Sequence, residues 1–429
     1  MNADPNMSVQ AQVRPGRAQD LYYISEEESR RQAFPTVQNT RYFQQLNNLA
    51  SGSSTVVLPP NNGVQQFVLV LGWNANTVAA GSGLGLSRGW GYLGAVRQVS
   101  IRYGGSSTYF FTGPQLLERC LRQSPNGTFA DSILQLGGNA VLVDADWTED
   151  QYAYVLINLP HTCASPEGET TCVLPGDLLT QQITLTVELN PPSTYFSINP
   201  AGTGAAAIPA SFSTGYVQVQ QVILDNQGDA LARRVDMDTS MYALPLPSFD
   251  QQEVVIPLNN AGNTLNDIPI TATGFRSGQV RSIQMWLTRN TEQTGATKNL
   301  SSWYPYKKIE MLYAGEVFQR FDDYSSQMWN LVNGRLATRA NTVELTAQAG
   351  PATGFTAAAA QMFWHELDFA QTHIEESTTN VLVNGKSITN GILNLNIKVP
   401  SAQTDWVVHI LYVYNSTLLF SKGTCDYAF

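Results

Sequence analysis

The sequence predicts an all-β fold made of two tandem sandwiches of about eight strands each, with short helical insertions. Three observations predict it: apolar residues alternate with period two, helical patterns are few and short, and the strand pattern repeats within the chain. Hydrophobic residues make up 43% of the 429 residues, which is enough to fill sizeable cores.

Alternating segments rich in β-branched and aromatic residues, bounded by Gly, Pro and Asn, predict the strands. They lie at residues 66–71, 96–103, 152–159, 183–189, 216–224, 280–287, 309–313, 392–399 and 407–414. Three short helices are predicted at 25–32, which opens with a capping box, 113–122 and 323–332. Segments 74–94 and 334–361 are rich in Gly, Ala, Ser and Thr and predict long loops.

The internal repeat appears when the sequence is displaced by 210 residues. One strand and its turn then align Val99, Ile101, Tyr103 and Gly105 with Ile309, Met311, Tyr313 and Gly315. Segments 154–160 and 183–189 fall on 364–370 and 393–399, and the apolar phase is kept. Phase matters because a slip of one residue would turn every core side chain outward. The repeat predicts two copies of one β fold, with Gly105 and Gly315 in turns that require positive φ.

The domain boundaries follow from the repeat and from one polar stretch, residues 225–243. About eight strands per copy suit a Greek-key sandwich or a jelly roll, in which two sheets pack over one core. We predict an N-terminal arm over 1–40, a first jelly roll over 41–225, a connector over 226–245 and a second jelly roll over 246–429.

Composition excludes several classes of protein. A net charge of −10 disfavours a dedicated nucleic-acid binder, and a charged fraction of only 14% indicates neutral polar surfaces or surfaces buried between subunits. The sequence contains no apolar run of membrane-spanning length, and its N-terminal residues lack the apolar core of a secretory signal. Four cysteines are too few for a disulfide scaffold, although Cys163 and Cys172 flank an acidic turn and could pair.

Motifs for enzyme chemistry are not visible. The glycine-rich run at 81–94 lacks a P-loop pattern, and His365 and Glu366 would point to opposite faces of a strand, which disfavours a metal site with His373. His409 lies in the last apolar strand and is predicted to be a core or interface residue. The carboxylates Glu253, Glu310 and Glu316 are scattered through strand patterns and leave a glycosidase-like pair open. We therefore predict no catalytic, metal or cofactor site.

Five segments carry a resemblance to a known family. They are VRQVSIRYGGSSTYFFTGPQLL (96–117), YVLINLP (154–160), LLTQQITLTVEL (178–189), YVQVQQVILDNQGDAL (216–231) and ILYVYNSTLLFSKGTCDYAF (410–429). In their order and spacing, from about residue 40 to the end, the chain resembles the double jelly-roll major capsid proteins of tailless icosahedral double-stranded DNA viruses. Their eukaryotic branch, which comprises algal giant viruses, virophages and polinton-like viruses, is the most similar.

This resemblance implies a structural subunit, not an enzyme, that trimerises into pseudo-hexameric capsomers tiling an icosahedral virion shell. The implied partners are other copies of the chain, neighbouring capsomers and minor capsid or penton proteins. Synthesis and assembly would take place inside the host cell, and the mature location would be the virion capsid. By the same analogy the arm lies at the inner face of the shell, where Arg14, Arg17, Arg30 and Arg31 are candidate contacts to membrane or genome.

Two other functions fit the predicted sandwiches. A two-domain carbohydrate-binding module is the main alternative, and it would be a monomer or dimer with exposed aromatic residues. A β-sandwich hydrolase is the third possibility and would depend on a single essential carboxylate.

Overall fold

A computed structural model describes most of the predicted strands, and the structural statements below concern the residues it describes. These are 37–58, 63–77, 84–86, 94–104, 109–113, 116, 142–143, 148–157, 181–198, 208–224, 241–256, 267–273, 278–291, 304, 306–322, 364–368, 386–388, 393–399, 405–421 and 424–428. The predicted helices at 25–32 and 323–332 lie outside them. Within the predicted helix at 113–122, Gly113 and Leu116 are described and both are helical.

Eleven strands form the first half. They are β1 (Val37–Gln45), β2 (Gly52–Val57), β3 (Gly63–Trp73), β4 (Leu84–Leu86), β5 (Val96–Tyr103), β6 (Tyr109–Thr112), β7 (Leu142–Val143), β8 (Gln151–Ile157), β9 (Ile183–Leu189), β10 (Phe196–Ile198) and β11 (Thr214–Leu224). One sheet has the order β1-β11-β3-β8 and the other β2-β9-β5-β6, while β10-β4-β7 form a small third sheet. All pairings are antiparallel.

Ten strands form the second half. They are β12 (Met241–Ile256), β13 (Ile268–Thr271), β14 (Gly278–Arg289), β15 (Lys308–Tyr313), β16 (Glu316–Phe321), β17 (Trp364–Asp368), β18 (Lys386–Ile388), β19 (Leu393–Lys398), β20 (Trp406–Ser421) and β21 (Thr424–Ala428). The sheet β12-β20-β14-β17 also carries β18 on β14 and β21 on β20, and the opposite sheet is β13-β19-β15-β16.

The two halves have the same strand order, so the predicted repeat is confirmed. β1, β11, β3 and β8 correspond to β12, β20, β14 and β17, and the strands of the opposite sheets correspond in the same way. Even the register is kept: Val99 pairs with Val187, and 210 residues later Ile309 pairs with Ile397. Each half is an eight-stranded jelly roll, and all nine predicted strands are present.

The turn after the repeated strand also follows the repeat. Gly104 has φ +59° and Ala314, 210 residues later, has φ +52°. Gly315 has φ +85°, as its prediction required, whereas Gly105 lies outside the described residues and its turn stays a prediction.

Alternation along the strands builds the two cores. On β9, Ile183, Leu185, Val187 and Leu189 are buried, and the polar residues between them are half-buried. On β19, Leu393, Leu395 and Ile397 repeat this pattern within the second core. Burying a side chain of this size stabilises the fold by roughly 1.5–3 kcal/mol, so one such row contributes substantially to the stability of each sandwich.

Three features differ from the sequence prediction. The strand β1 begins at Val37, inside the predicted arm. The predicted loop at 74–94 contains the short strand β4, which pairs with β10 and β7. The long strand β12 begins at Met241, inside the predicted connector. The sequence predicts a connector at the start of β12 because Pro245 and Pro247 interrupt the alternation of apolar and polar residues. Proline is tolerated there because β12 is an edge strand that pairs only with β20.

Candidate assembly interface

The two jelly rolls are joined through the edge of one and the outer face of the other. Phe249 of β12 is only 5% exposed, and its ring centroid lies 5.5 Å from that of Phe111 on β6. The C-terminal strand β21 contacts β5, and its Cys425 is fully buried. The edge of the first roll therefore packs against the first strand of the second roll.

Near the contact between the two rolls, polar and aromatic side chains cover the outward face of the sheet β12-β20-β14. Nδ1 of His409 donates a hydrogen bond to Glu253 at 3.0 Å, and its Nε2 lies 3.0 Å from the hydroxyl of Thr288. The imidazole stacks on the indole of Trp286, with centroids 4.9 Å apart and planes 5° apart. The hydrogen bond from His409 lowers the pKa of Glu253 despite its partial burial. His409 is thus a hydrogen-bonded, half-buried residue of the outward sheet face, whereas the sequence predicted a core or interface residue.

The corresponding outward face of the first roll is exposed and aromatic. Phe43 is 55% exposed, and Tyr152 and Tyr154 are 45% and 42% exposed. The ring of Phe43 lies 6.0 Å from that of Tyr216, and Tyr216, Val70 and Tyr154 stand side by side on three neighbouring strands. We call Phe43, Tyr152, Tyr154 and Tyr216 the aromatic face. Apolar side chains on one flat sheet face are typical of a protein–protein contact.

The hairpin of β15 and β16 forms a second exposed apolar surface at the far edge of the second roll. A two-residue turn joins its strands, and Ala314 and Gly315 both have positive φ, as in a type I′ turn. Beyond the turn, Val317 is 55% exposed and Phe318 is 42% exposed. β16 is the counterpart of β6, the strand that meets the second roll inside the chain.

A row of charges fixes this hairpin on its sheet. Nζ of Lys308 lies 2.7 Å from Asp267 and 3.5 Å from Glu310, and the side chains of Lys308 and Glu310 are only 9% and 10% exposed. Glu310 also accepts a hydrogen bond from Asn396 at 3.0 Å and lies 3.5 Å from Arg320 of β16. Glu310 of β15 is therefore tied to both neighbouring strands, β19 and β16, and Lys308 links β15 to Asp267 just before β13.

The protonation of this row follows from its contacts. The hydrogen bond to Asp267 raises the pKa of Lys308, outweighing its desolvation. Desolvation opposes ionisation of Asp267, but the positive charges of Lys308 and Lys398 outweigh it and lower the pKa of that carboxyl. Both shifts favour the charged forms, so the ion pair of Lys308 with Asp267 is maintained near neutral pH.

The structure brings together few of the residues that the sequence had singled out for chemistry. Glu253 and Glu310 lie on the outward faces of opposite sheets of the second roll, and each is engaged by a neighbouring basic or polar group. Glu316 is exposed beside the β15–β16 turn. Within the described part of the chain, no group of three or more His, Cys, Asp or Glu side chains could hold a metal ion. Glu253 and Glu310 are thus not brought together as a pair.

Other predicted residues fall outside the description. Arg14, Arg17, Arg30 and Arg31 lie outside the described residues, as do Cys163, Cys172 and His373. Only the backbone of His365 is described, in β17, where it pairs with Met285. Among described helices, none has the length and apolar character needed to cross a membrane.

Sequence reasoning missed the exposed apolar surfaces. Phe43, Val317 and Phe318 belong to strands that were not predicted, because short edge strands carry a weak alternation signal. One signal was available in the segment QYAYVLI of β8. Tyr152 and Tyr154 occupy the phase opposite to the core residues Val155 and Ile157, so both faces of this strand are apolar. A strand of this kind is expected to be covered on both sides.

Comparison with solved structures identifies the fold. The chain is similar to VP54 of PBCV-1, seen in a crystal structure fitted into a reconstruction of the virophage Sputnik, with 11% identity and a TM-score of 0.62 over 93% of this chain and 98% of that one. It is similar to the Faustovirus major capsid protein, with 8% identity and a TM-score of 0.57 over 97% of each chain. The mavirus major capsid protein gives 12% identity and a TM-score of 0.52 over 92% of this chain and 90% of that one.

No protein-family model and no curated protein sequence matches the chain. The structural likeness extends over nearly the full length of both partners in each comparison, and it establishes the fold. The chain is a double jelly roll, like the major capsid proteins to which its sequence showed a resemblance.

Proposed function

We propose that this protein is a major capsid protein, the structural subunit of an icosahedral virion shell. One observation carries the proposal: two jelly rolls with the same strand order stand side by side in one chain, in contact through β6 and β12. Because three such chains in a ring present six similar lobes, a threefold particle can occupy a sixfold lattice position. The solved structures with this fold that are named above include major capsid proteins, which supports the same conclusion.

The proposed assembly unit is a homotrimer that forms a pseudo-hexameric capsomer. Its neighbours in the shell would be further capsomers and minor capsid or penton proteins. Function then depends on interfaces, and obligate interfaces bury 2,000 Å² or more in total. The low charged fraction of 14% suits this role, because charges are depleted at interface centres.

The arm is proposed to contact the inner side of the shell through Arg14, Arg17, Arg30 and Arg31, with anionic membrane headgroups or genome phosphates as the partners. Deleting residues 1–36 keeps β1 intact, so it should leave the trimer unchanged and impair particle assembly. Loss of the trimer on this deletion would contradict the proposed role of the arm.

Light scattering behind a sizing column tests the assembly unit. A mass of about 141 kDa, three times the 47.0 kDa of the chain, should persist on dilution to nanomolar protein. A monomer at every concentration would refute the capsomer. It would favour the carbohydrate-binding alternative, for which the exposed Tyr152 and Tyr154 would be the candidate sugar-stacking residues.

A further inference from the structure

The last two strands of the chain extend beyond the second sandwich. β20 pairs with β12 along all of its 16 residues, but it pairs with β14 only over Trp406–Tyr414. Because β12 occupies one edge of β20, the end of β20 at Thr417–Ser421 uses its other edge to pair with β21. β21 thus lies past the last residue pair of β20 with β14.

This terminal strand is an addition to the repeated fold. The eight strands of the second jelly roll are β12 to β17, β19 and β20, and each has a counterpart in the first roll. Among the described strands of the first roll, none corresponds to β21. The core cluster of the second roll contains no described residue of β21 either. A strand outside both the repeat and the core serves another purpose than filling the sandwich.

The contact of β21 with the first roll indicates that purpose. β21 contacts β5, and the described pairings include no ladder between these two strands, so they meet by packing. Along β21, Thr424 and Asp426 are exposed, and Cys425 between them is fully buried. One short strand is therefore attached to the second roll by hydrogen bonds and to the first roll by packing.

We propose that β21 is a strap, which holds the first roll against the second and opens as a unit while both sandwiches stay folded. This inference concerns the single chain and does not rest on the proposed function. Closed, the strap supplements the contact of Phe111 with Phe249. Opening the strap releases β5 and leaves that aromatic contact in place.

Opening the strap disrupts much less structure than unfolding a roll does. β21 is held by one ladder of five residue pairs, all with β20, and Cys425 is the one buried side chain among those described in it. The strands β14 and β20, by contrast, pair along both edges and enclose the core. Segments with few buried side chains open at a lower free energy than the whole domain.

The thiol of Cys425 reports the opening. In the closed state the thiol is inaccessible, and burial together with the charge of Asp426 raises its pKa. Iodoacetamide left for many hours on the native full-length chain should therefore label Cys425 only when the strap opens. Peptide mapping distinguishes this residue from Cys120, Cys163 and Cys172.

The dependence of this slow labelling on urea tests the proposal. Labelling should be roughly tenfold or more faster than global unfolding allows. Its rate should hardly change at low urea concentrations, because opening the strap exposes little surface. Labelling no faster than global unfolding, with the same steep dependence on urea, would overturn the proposal.

A pair of truncations tests the attachment itself. One chain ends at Gly423 and lacks β21, and its matched control ends at Ala428 and keeps it. Without β21, circular dichroism should still show folded sandwiches, while the ratio of van't Hoff to calorimetric enthalpy should fall below that of the control, because the rolls melt less cooperatively. Equal ratios would show that β21 does not couple the rolls, and an unfolded truncation would show that β21 belongs to the sandwich; either result would overturn the proposal.

Discussion

Replacing Phe249 with alanine should destabilise the protein through the joint between its two rolls. Truncating a buried phenylalanine costs about 3–5 kcal/mol, which includes the extra contribution of an aromatic pair such as the one with Phe111. Phe249 is 5% exposed and lies between two rolls that can partly close the gap, so the lower end, about 3 kcal/mol, is expected. At roughly 2–4 °C per kcal/mol for units of this size, the melting midpoint should fall by about 6–12 °C.

Thermal unfolding followed by intrinsic fluorescence and calorimetry, at one protein concentration and one scan rate, measures this effect. Val255 lies on the same strand but is 59% exposed, so V255T is the control and should stay within about 0.5 kcal/mol of the unmodified chain. F249A should also broaden or split the transition, because the rolls are less coupled. A fall in midpoint no larger than that of V255T would refute the view that Phe249 seals the joint.

Three further predictions concern single residues. Gly315 has φ +85°, and a Cβ added to it would meet no neighbouring atom within 4 Å. The variant G315V should therefore destabilise the hairpin by about 1–2 kcal/mol through backbone strain alone. An unchanged denaturant midpoint would contradict this prediction. Because the hydrogen bond from His409 lowers the pKa of Glu253, this carboxylate contributes stability above its ordinary value of 4.5 and loses it as the pH falls through the lowered value. E253Q should therefore be less stable than the unmodified chain at pH 7, and the difference should shrink below pH 4; a difference constant with pH would count against the bond. Burial raises the pKa of the Cys425 thiol, so the thiol should react slowly with iodoacetamide. Peptide mapping should find Cys425 unlabelled in the native protein and labelled after denaturation. Rapid labelling of the native protein would show that β21 does not stay packed against β5.

Sequence reasoning worked where the physical signal was local and periodic. The row Ile183–Leu189 could be predicted in phase, because burial of one sheet face leaves a period-two pattern in any sequence. The repeat was visible for the same reason, since Ile309 and Met311 must fill the core that Val99 and Ile101 fill in the first copy. The resemblance of the segment order to double jelly-roll capsid proteins was confirmed at the level of the fold.

Edge strands and surfaces were harder to predict. β12 starts with a Pro-containing stretch that contradicts its strand state, and β16 is an exposed edge without clear alternation. An edge strand pairs on one side only, so it tolerates residues such as proline that would disrupt a central strand. The local sequence pattern therefore carries little information about edge strands. The division into arm, rolls and connector stays a prediction, as do the roles of Arg14, Arg17, Arg30 and Arg31.

The sequence by itself determined the all-β class, the duplication and the identity of most core residues. These depend on apolar periodicity, which is a property of neighbouring positions in the chain. Only the tertiary structure decided that Phe249 is buried while Phe43, on the corresponding strand, is exposed. Both are phenylalanines at the edge of similar sheets, and their difference arises from what packs against them, since one faces the first roll and the other faces outward. Contacts between residues more than 130 positions apart, such as Phe111 with Phe249, leave no local pattern, and they determine which surfaces remain for assembly.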